Sequence, residues 1–186
     1  MKKAAVIYWS GTGNTEAMAN AVLEGMKSAG ADAVLLTASD VDGSAVGGYD
    51  AVALGCPAMG SEVLEDMEFE PMFDGCKSSL KGKRVALFGS YGWGGGEWMH
   101  NWERDCRSSG IQLACDSVIC NEAPDDAALA ACQALGKALV GQFLPIVPGI
   151  SPVTDTNNRR IKPNHLTSLL FPHSLQRCDT THFACA

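Results

Sequence analysis

Between Tyr8 and Glu16 the chain reads Tyr-Trp-Ser-Gly-Thr-Gly-Asn-Thr-Glu, directly after an apolar run at residues 4–7. Ser10, Thr12 and Thr15 carry hydroxyl donors and Asn14 an amide, while Gly11 and Gly13 let the backbone come close to a ligand and expose N–H groups at a helix N-terminus. These residue types suit an anion such as a phosphate. No Lys or Arg lies between Ser10 and Thr15, so dipoles and hydrogen bonds would hold the anion, not a counter-charge. Two better-known phosphate loops do not fit: the Gly-Lys-Ser/Thr of a nucleotide P-loop is absent, and Glu16 stands where a dinucleotide fingerprint needs its third glycine. Taken alone, the turn either meets a ligand or merely caps a helix with hydroxyls.

Two further loops carry residues of use to a ligand. Cys56-Pro57-Ala58-Met59-Gly60-Ser61-Glu62 follows the apolar run at 51–55, and Gly89-Ser90-Tyr91-Gly92-Trp93-Gly94-Gly95-Gly96-Glu97 follows the run at 85–88. Trp93 offers a flat apolar face to a ring system and Met59 a polarisable one on the other side. The flanking glycines would keep backbone amides near the edge of that ring. An aromatic ligand bearing a phosphate is implied, and FMN fits better than an adenine nucleotide, because no ribose-binding carboxylate follows the second strand at the usual dinucleotide-fold place. Each residue also has a plainer reading: Trp93 and Met59 as core or surface side chains, Glu62 as the head of a solvated acidic run, and His100 as an exposed helix residue without a partner for base catalysis.

The elements that must position these loops follow from the hydrophobic spacing. Met18, Ala19, Val22, Leu23 and Met26 recur at helical intervals, with Gly30 as a stop. Residues 33–36 form a short apolar strand, and an acidic, glycine-rich connection covers 40–48. After the strand at 51–55 comes a loosely amphipathic stretch holding Leu64, Met67, Phe69, Met72 and Phe73, interrupted by Pro71. Beyond the strand at 85–88, a helix carries Trp98, Trp102 and Cys106 on one face and ends at Gly110. Residues 111–120 read as the last strand. Pro124 and Asp125 start a final helix whose buried stripe is Ala128, Cys132, Leu135 and Leu139. Five short apolar strands alternating with helices describe an α/β protein with a parallel sheet covered on both faces. Ligands of such sheets sit beyond the carboxyl ends of the strands, where the winding switches direction, so the three loops should meet there.

The chain as a whole has 186 residues, 46% of them hydrophobic, and a formal charge of −7. Its mean hydropathy is +0.02, that of a soluble globular protein. The charge argues against nucleic acid and anionic membrane as partners, and no apolar stretch is long enough to span a bilayer. The eight cysteines include no Cys-x-x-Cys pair, and Cys115 and Cys120 fall within the predicted last strand and its end, where side chains bridge poorly. They read as reduced core residues of a cytoplasmic protein without a signal peptide. Composition changes near Gln142: residues 1–141 hold 10 Lys+Arg against 19 Asp+Glu, residues 142–186 hold 4 against 2. The second segment also has five of the eight prolines and His165, His173 and His182. A partner-binding extension, a metal-binding His/Cys segment and appended sequence compete as its meaning. Proline density and missing periodicity predict a mostly disordered or loosely packed tail.

Ser10-Gly11-Thr12-Gly13-Asn14-Thr15, Cys56-Pro57-Ala58-Met59-Gly60-Ser61-Glu62 and Ser90-Tyr91-Gly92-Trp93-Gly94 together resemble, in kind and order, the three cofactor loops of the short-chain flavodoxins of anaerobic bacteria. The resemblance covers residues 1–141 and implies a doubly wound five-stranded parallel sheet of order 2-1-3-4-5. It implies FMN as cofactor, with Trp9 among its contacts, the phosphate at residues 10–15, and Trp93 and Met59 flanking the isoalloxazine. The peptide between Gly60 and Ser61 would turn over when the flavin gains an electron, bringing the Gly60 carbonyl to N5. Glu62 would accept from N3–H, and amides near Gly92 would serve O2 and N1. Pro57 departs from relatives that have a phosphate-binding serine there, and the glycine run 94–96 is looser than the pattern. The implied function is a low-potential one-electron carrier, not an enzyme, a monomer serving oxidoreductases that dock through basic patches. The alternative is an FMN-dependent NAD(P)H quinone or nitro reductase. Physical chemistry gives independent reasons: glycine at 60 tolerates positive φ, and Glu62, Glu65, Asp66, Glu68 and Glu70 would repel the second electron.

Overall fold

Every residue of the strand Ala51–Gly55 is buried, and five of the six in Lys3–Tyr8 are, as strands covered on both faces must be. The computed structural model describes residues 1–141. In chain order the elements are β1 (Lys3–Tyr8), α1 (Asn14–Ser28), β2 (Asp32–Thr37), β3 (Ala51–Gly55), α2 (Phe69–Leu80), β4 (Arg84–Tyr91), α3 (Glu97–Ser108), β5 (Val118–Asn121) and α4 (Asp126–Val140). All strand pairs are parallel, in the order β2-β1-β3-β4-β5, with Ile7 opposite Leu54 and Leu54 opposite Leu87. The order implied by the resemblance is the observed one.

The two-residue period of the strands sorts the core into two halves. Ala5, Ile7, Val52, Leu54, Val85 and Leu87 face α2 and α3, where Phe69, Phe73, Trp98 and Trp102 are buried. Phe69 and Phe73 meet the Trp102 ring edge-on, with centroids 5.3 and 5.8 Å away. Ala4, Val6, Ala51, Ala53, Ala86 and Phe88 face α1 and α4, which contribute Met18, Val22, Met26, Cys132, Leu135 and Leu139. The small residues of this second face admit two helices packed closely against each other. A Cβ on Gly25 would lie 2.1 Å from the Gln133 carbonyl oxygen, and one on Gly136 would lie 2.1 Å from that of Val22, so only glycine permits the approach.

Two expectations need correction. The last strand does not run through 111–120: Leu113 makes a single parallel bridge with Val85, the chain bends away at Ala114 and Cys115, and pairing resumes at Val118–Asn121. Ser117 Oγ donates to Glu103 on α3 at 2.6 Å instead of joining the ladder. Cys115 therefore lies outside the strand that was to hold it. Second, Pro71 does not interrupt the amphipathic stretch, because α2 begins at Phe69 and leaves the proline in its first turn, where no helical N–H is required. The acidic, glycine-rich connection at 40–48 follows a 3-10 turn at Ala38–Asp40 and contains another at Ala45–Gly48.

The six cysteines of the described residues are free thiols, with Cys56, Cys76, Cys106 and Cys132 buried. Among the described residues no helix is long and apolar enough to cross a membrane. The expectation for 142–186 lies outside the described residues.

Candidate functional site

β1 leads outward to β2 on one side while β3 and β4 continue on the other, so the loops after β1 and β3 diverge and leave a crevice at the carboxyl edge. Backbone hydrogen bonds carry the pairing past the strand ends and hold the loops in register: Trp9 N–H to the Gly55 carbonyl at 3.0 Å, Ala58 N–H to Ser90 at 2.9 Å, Glu122 N–H to Tyr91 at 2.7 Å. The resulting cleft has a volume of about 240 Å³. Trp9, Gly11, Thr12 and Asn14 line it from the first loop, Pro57, Ala58 and Met59 from the second, and Ser90, Tyr91 and Gly92 from the third. Glu122, from the loop after β5, completes the lining. Sequence reasoning passed over Glu122, although the rule that ligands lie beyond strand carboxyl ends applies to the fifth strand as much as to the others.

One end of the cleft is built for an anion. The Ser10 hydroxyl accepts from the Gly13 N–H at 3.0 Å and shapes the turn, and the buried Thr15 and Ser90 hydroxyls are 2.9 Å apart, tying α1 to β4. The helix N-termini differ in how they are covered. Glu65 accepts from Met67, Glu68 and Phe69 at the start of α2, at 2.9, 2.8 and 2.8 Å. Glu62 Oε1 accepts from Gly96 and Glu97 at the start of α3, both at 2.9 Å. Asp125 accepts from Ala128 at the start of α4 at 2.8 Å. At α1, Gly13 at φ +88° provides no side-chain cap. A 15-residue helix thus turns its partial positive charge, about half an elementary charge, toward Thr12, Asn14 and the cleft. This donor set fits a phosphate without a lysine or arginine.

The other end is apolar and carries a tight turn. Met59 and Val63 exchange two backbone hydrogen bonds, of 2.8 and 3.0 Å, around the three-residue tip Gly60, Ser61 and Glu62. Gly60 has φ +47° and Glu62 φ +55°. For a residue with a Cβ this conformation costs about 1 kcal/mol or more, so the contacts of the Glu62 side chain must offset it. Gly60, Ser61, Glu62, Trp93 and Gly94 do not line the cleft itself. Trp93 is 64% exposed on the third loop, and a Cβ on Gly94 would stand 2.4 Å from the Glu62 carboxyl carbon, so the tips of the second and third loops touch. Ser10, Gly13 and Thr15 likewise shape the first loop from behind the lining.

The titratable groups around the site are structural in character. Burial works to raise the Glu65 carboxyl, but hydrogen bonds from Phe69, Glu68 and Met67 outweigh it and hold the group below its ordinary value. Burial pushes the Cys56 thiol up to about 12, and this sulfur receives the Glu65 N–H at 3.4 Å, so it is no nucleophile. Tyr8 is raised by burial and by Glu16. His100 is exposed on α3.

Known proteins share this arrangement. The sequence model of the family described as Flavodoxin matches residues 6–136. The chain is 48% identical over 133 residues to a flavodoxin of Megasphaera elsdenii, spanning 72% of this chain and 95% of that protein. It is 43% identical over 122 residues to a flavodoxin of Clostridium beijerinckii, spanning 66% and 88%. The solution structure of two-electron reduced Megasphaera elsdenii flavodoxin aligns with a TM-score of 0.68 over 73% of this chain and 97% of that one. A crevice at the switch point of a doubly wound parallel sheet, uncapped helix at one end and apolar side chains at the other, defines a mononucleotide-binding α/β protein. The chain belongs to the flavodoxin family. It is an FMN-binding electron carrier.

Proposed function

We propose that the cleft seats FMN with its phosphate on the first turn of α1 and its ring system between the second and third loops, and that the protein shuttles single electrons at low potential between redox enzymes. The observation that carries this reading is the α1 N-terminus without a side-chain cap, opening on the same cleft as Trp9, Met59 and Tyr91. When bound, FMN supplies the one-electron chemistry; the protein positions it and sets its potentials.

Each loop has a separate task. Thr12, Asn14 and the amides of α1 donate to phosphate oxygens, with Ser10, Gly11, Gly13 and Thr15 holding the turn. Met59 and Trp93 shield the two faces of the ring, and amides near Gly92 donate to O2 and N1. Glu62 accepts from N3–H. The peptide between Gly60 and Ser61, in a turn where Gly60 has positive φ, would be free to present the Gly60 carbonyl as an acceptor to the edge of the bound ring. The carboxylates of Glu62, Asp66, Glu68 and Glu70 oppose added negative charge on the ring, which lowers the second potential.

The same acidic surface fits transient partners with basic patches, and their electron-transfer rates fall as salt rises. Residues 1–141 act as the FMN domain of a monomer working in the cytoplasm, and residues 142–186 are an appendage that this domain does not require. Competition between FMN and riboflavin tests the phosphate assignment. Riboflavin is expected to bind at least a hundredfold more weakly, since it forfeits several charge-assisted hydrogen bonds of about 1.5–3 kcal/mol each; equal affinity would remove the phosphate from α1.

A further inference from the structure

Helix α3 starts at Glu97 behind the N-cap Gly96, which has φ +93° and no side chain with which to satisfy the first turn. The missing cap comes from 34 residues upstream, where Glu62 Oε1 accepts from both Gly96 and Glu97 at 2.9 Å. Two features show that the structure is arranged around this contact. Glu62 adopts a left-handed φ of +55°, unfavourable for its residue type, and Gly94 leaves the space in which a Cβ would lie 2.4 to 2.7 Å from the carboxyl atoms of Glu62.

We propose that Glu62 is a positioning residue that straps the second loop to the third, fixing the Met59 turn against the Trp93 loop by one carboxylate shared between the α3 N-terminus and the cofactor. The proposal rests on the reading that these two loops enclose the flavin. Oε1 serves the helix and leaves Oε2 for the N3–H donor. Because one group faces both, a change of charge on the ring is felt by the α3 amides, and by reciprocity a change at α3 alters the potential. Gly94 is then required for the strap, not for the cofactor directly.

The test uses the full-length, FMN-loaded protein and reads amide hydrogen exchange at Gly96 and Glu97 together with the second reduction potential and FMN affinity. Glu62→Ala is expected to speed exchange at both amides by about tenfold or more, the loss of a charge-assisted cap. Glu62→Gln, which keeps an acceptor oxygen, is expected to do so less. Gly94→Ala, which keeps Glu62 but displaces its carboxylate, is expected to speed the same exchange and to raise the potential as Glu62→Ala does. Gly95→Ala, where an added Cβ meets nothing within 4 Å, is expected to do neither. Unchanged exchange in Glu62→Ala, or wild-type exchange and potential in Gly94→Ala, overturns the strap. Weakened FMN binding without faster exchange also overturns it and leaves the cofactor reading standing. Faster exchange with unchanged FMN affinity and potential overturns the shared carboxylate and leaves Glu62 as a cap of α3 alone.

Discussion

The hydroxyls of Thr15 and Ser90 lie 2.9 Å apart and are both buried, joining the first turn of α1 to the end of β4 across the middle of the sheet edge. Replacing Ser90 by Ala leaves the Thr15 hydroxyl without this partner, which costs about 1–2 kcal/mol of stability. Thr15→Val removes both members' bond and a neighbour of the phosphate loop. Denaturant unfolding and FMN titration should show both variants losing stability and FMN affinity, since Ser90 lines the cleft and Thr15 holds the phosphate turn through the same bond.

Trp93 is 64% exposed and touches little of the core, so Trp93→Ala should leave the unfolding midpoint of the flavin-free protein within about 0.5 kcal/mol of wild type. FMN affinity should fall about tenfold with the lost ring contact. Quenching of flavin fluorescence measures it, and unaltered affinity would take Trp93 off the ring.

Glu65 gives the domain a defined acid sensitivity. Its folded-state carboxyl lies below the ordinary value of 4.5 because three backbone amides donate to it, with burial opposing. A depressed folded value means that the stabilisation is fully present above pH 4.5 and is lost as pH falls through the folded value beneath it. Wild type should therefore exceed Glu65→Gln in stability by about 2 kcal/mol at neutral pH, and the two should converge below that window. Unfolding curves recorded from pH 7 down to about 3 decide it.

Gly136→Ala places a methyl group 2.1 Å from the Val22 carbonyl oxygen and must push α4 off α1. A loss of about 2–3 kcal/mol is expected, whereas Gly47→Ala, with nothing within 4 Å of the new methyl, should change stability little. Thermal unfolding of the two variants side by side gives the comparison.

Much of the fold was legible because its determinants are local. The apolar runs at 4–7, 51–55 and 85–88 alternate between the two helix-covered faces, and the Trp98, Trp102 and Cys106 spacing marks the buried side of α3. Ten of the eleven residues lining the cleft stand in the three loops singled out from their glycines, hydroxyls and aromatics. The last strand differs from its sequence reading because Ile111, Leu113, Val118 and Ile119 look like one apolar run, while Ser117 between them bonds to Glu103 on α3. Pro71 was misread because a proline disrupts a helix interior but fits a first turn, and only the starting point of α2 distinguishes the two.

The sequence by itself determined the first four strands, the helices between them and the three loops that end beside one another, because periodicity and turn chemistry act over a few residues. Only the tertiary structure decided which helix ends are covered and which is left for an anion. Glu62 reaches 34 residues forward to cap α3, Thr15 meets Ser90 across 75 residues, and Glu122 joins the cleft from the far edge of the sheet. Such pairings are set by how the sheet brings distant segments together, and no local pattern of residue types records them.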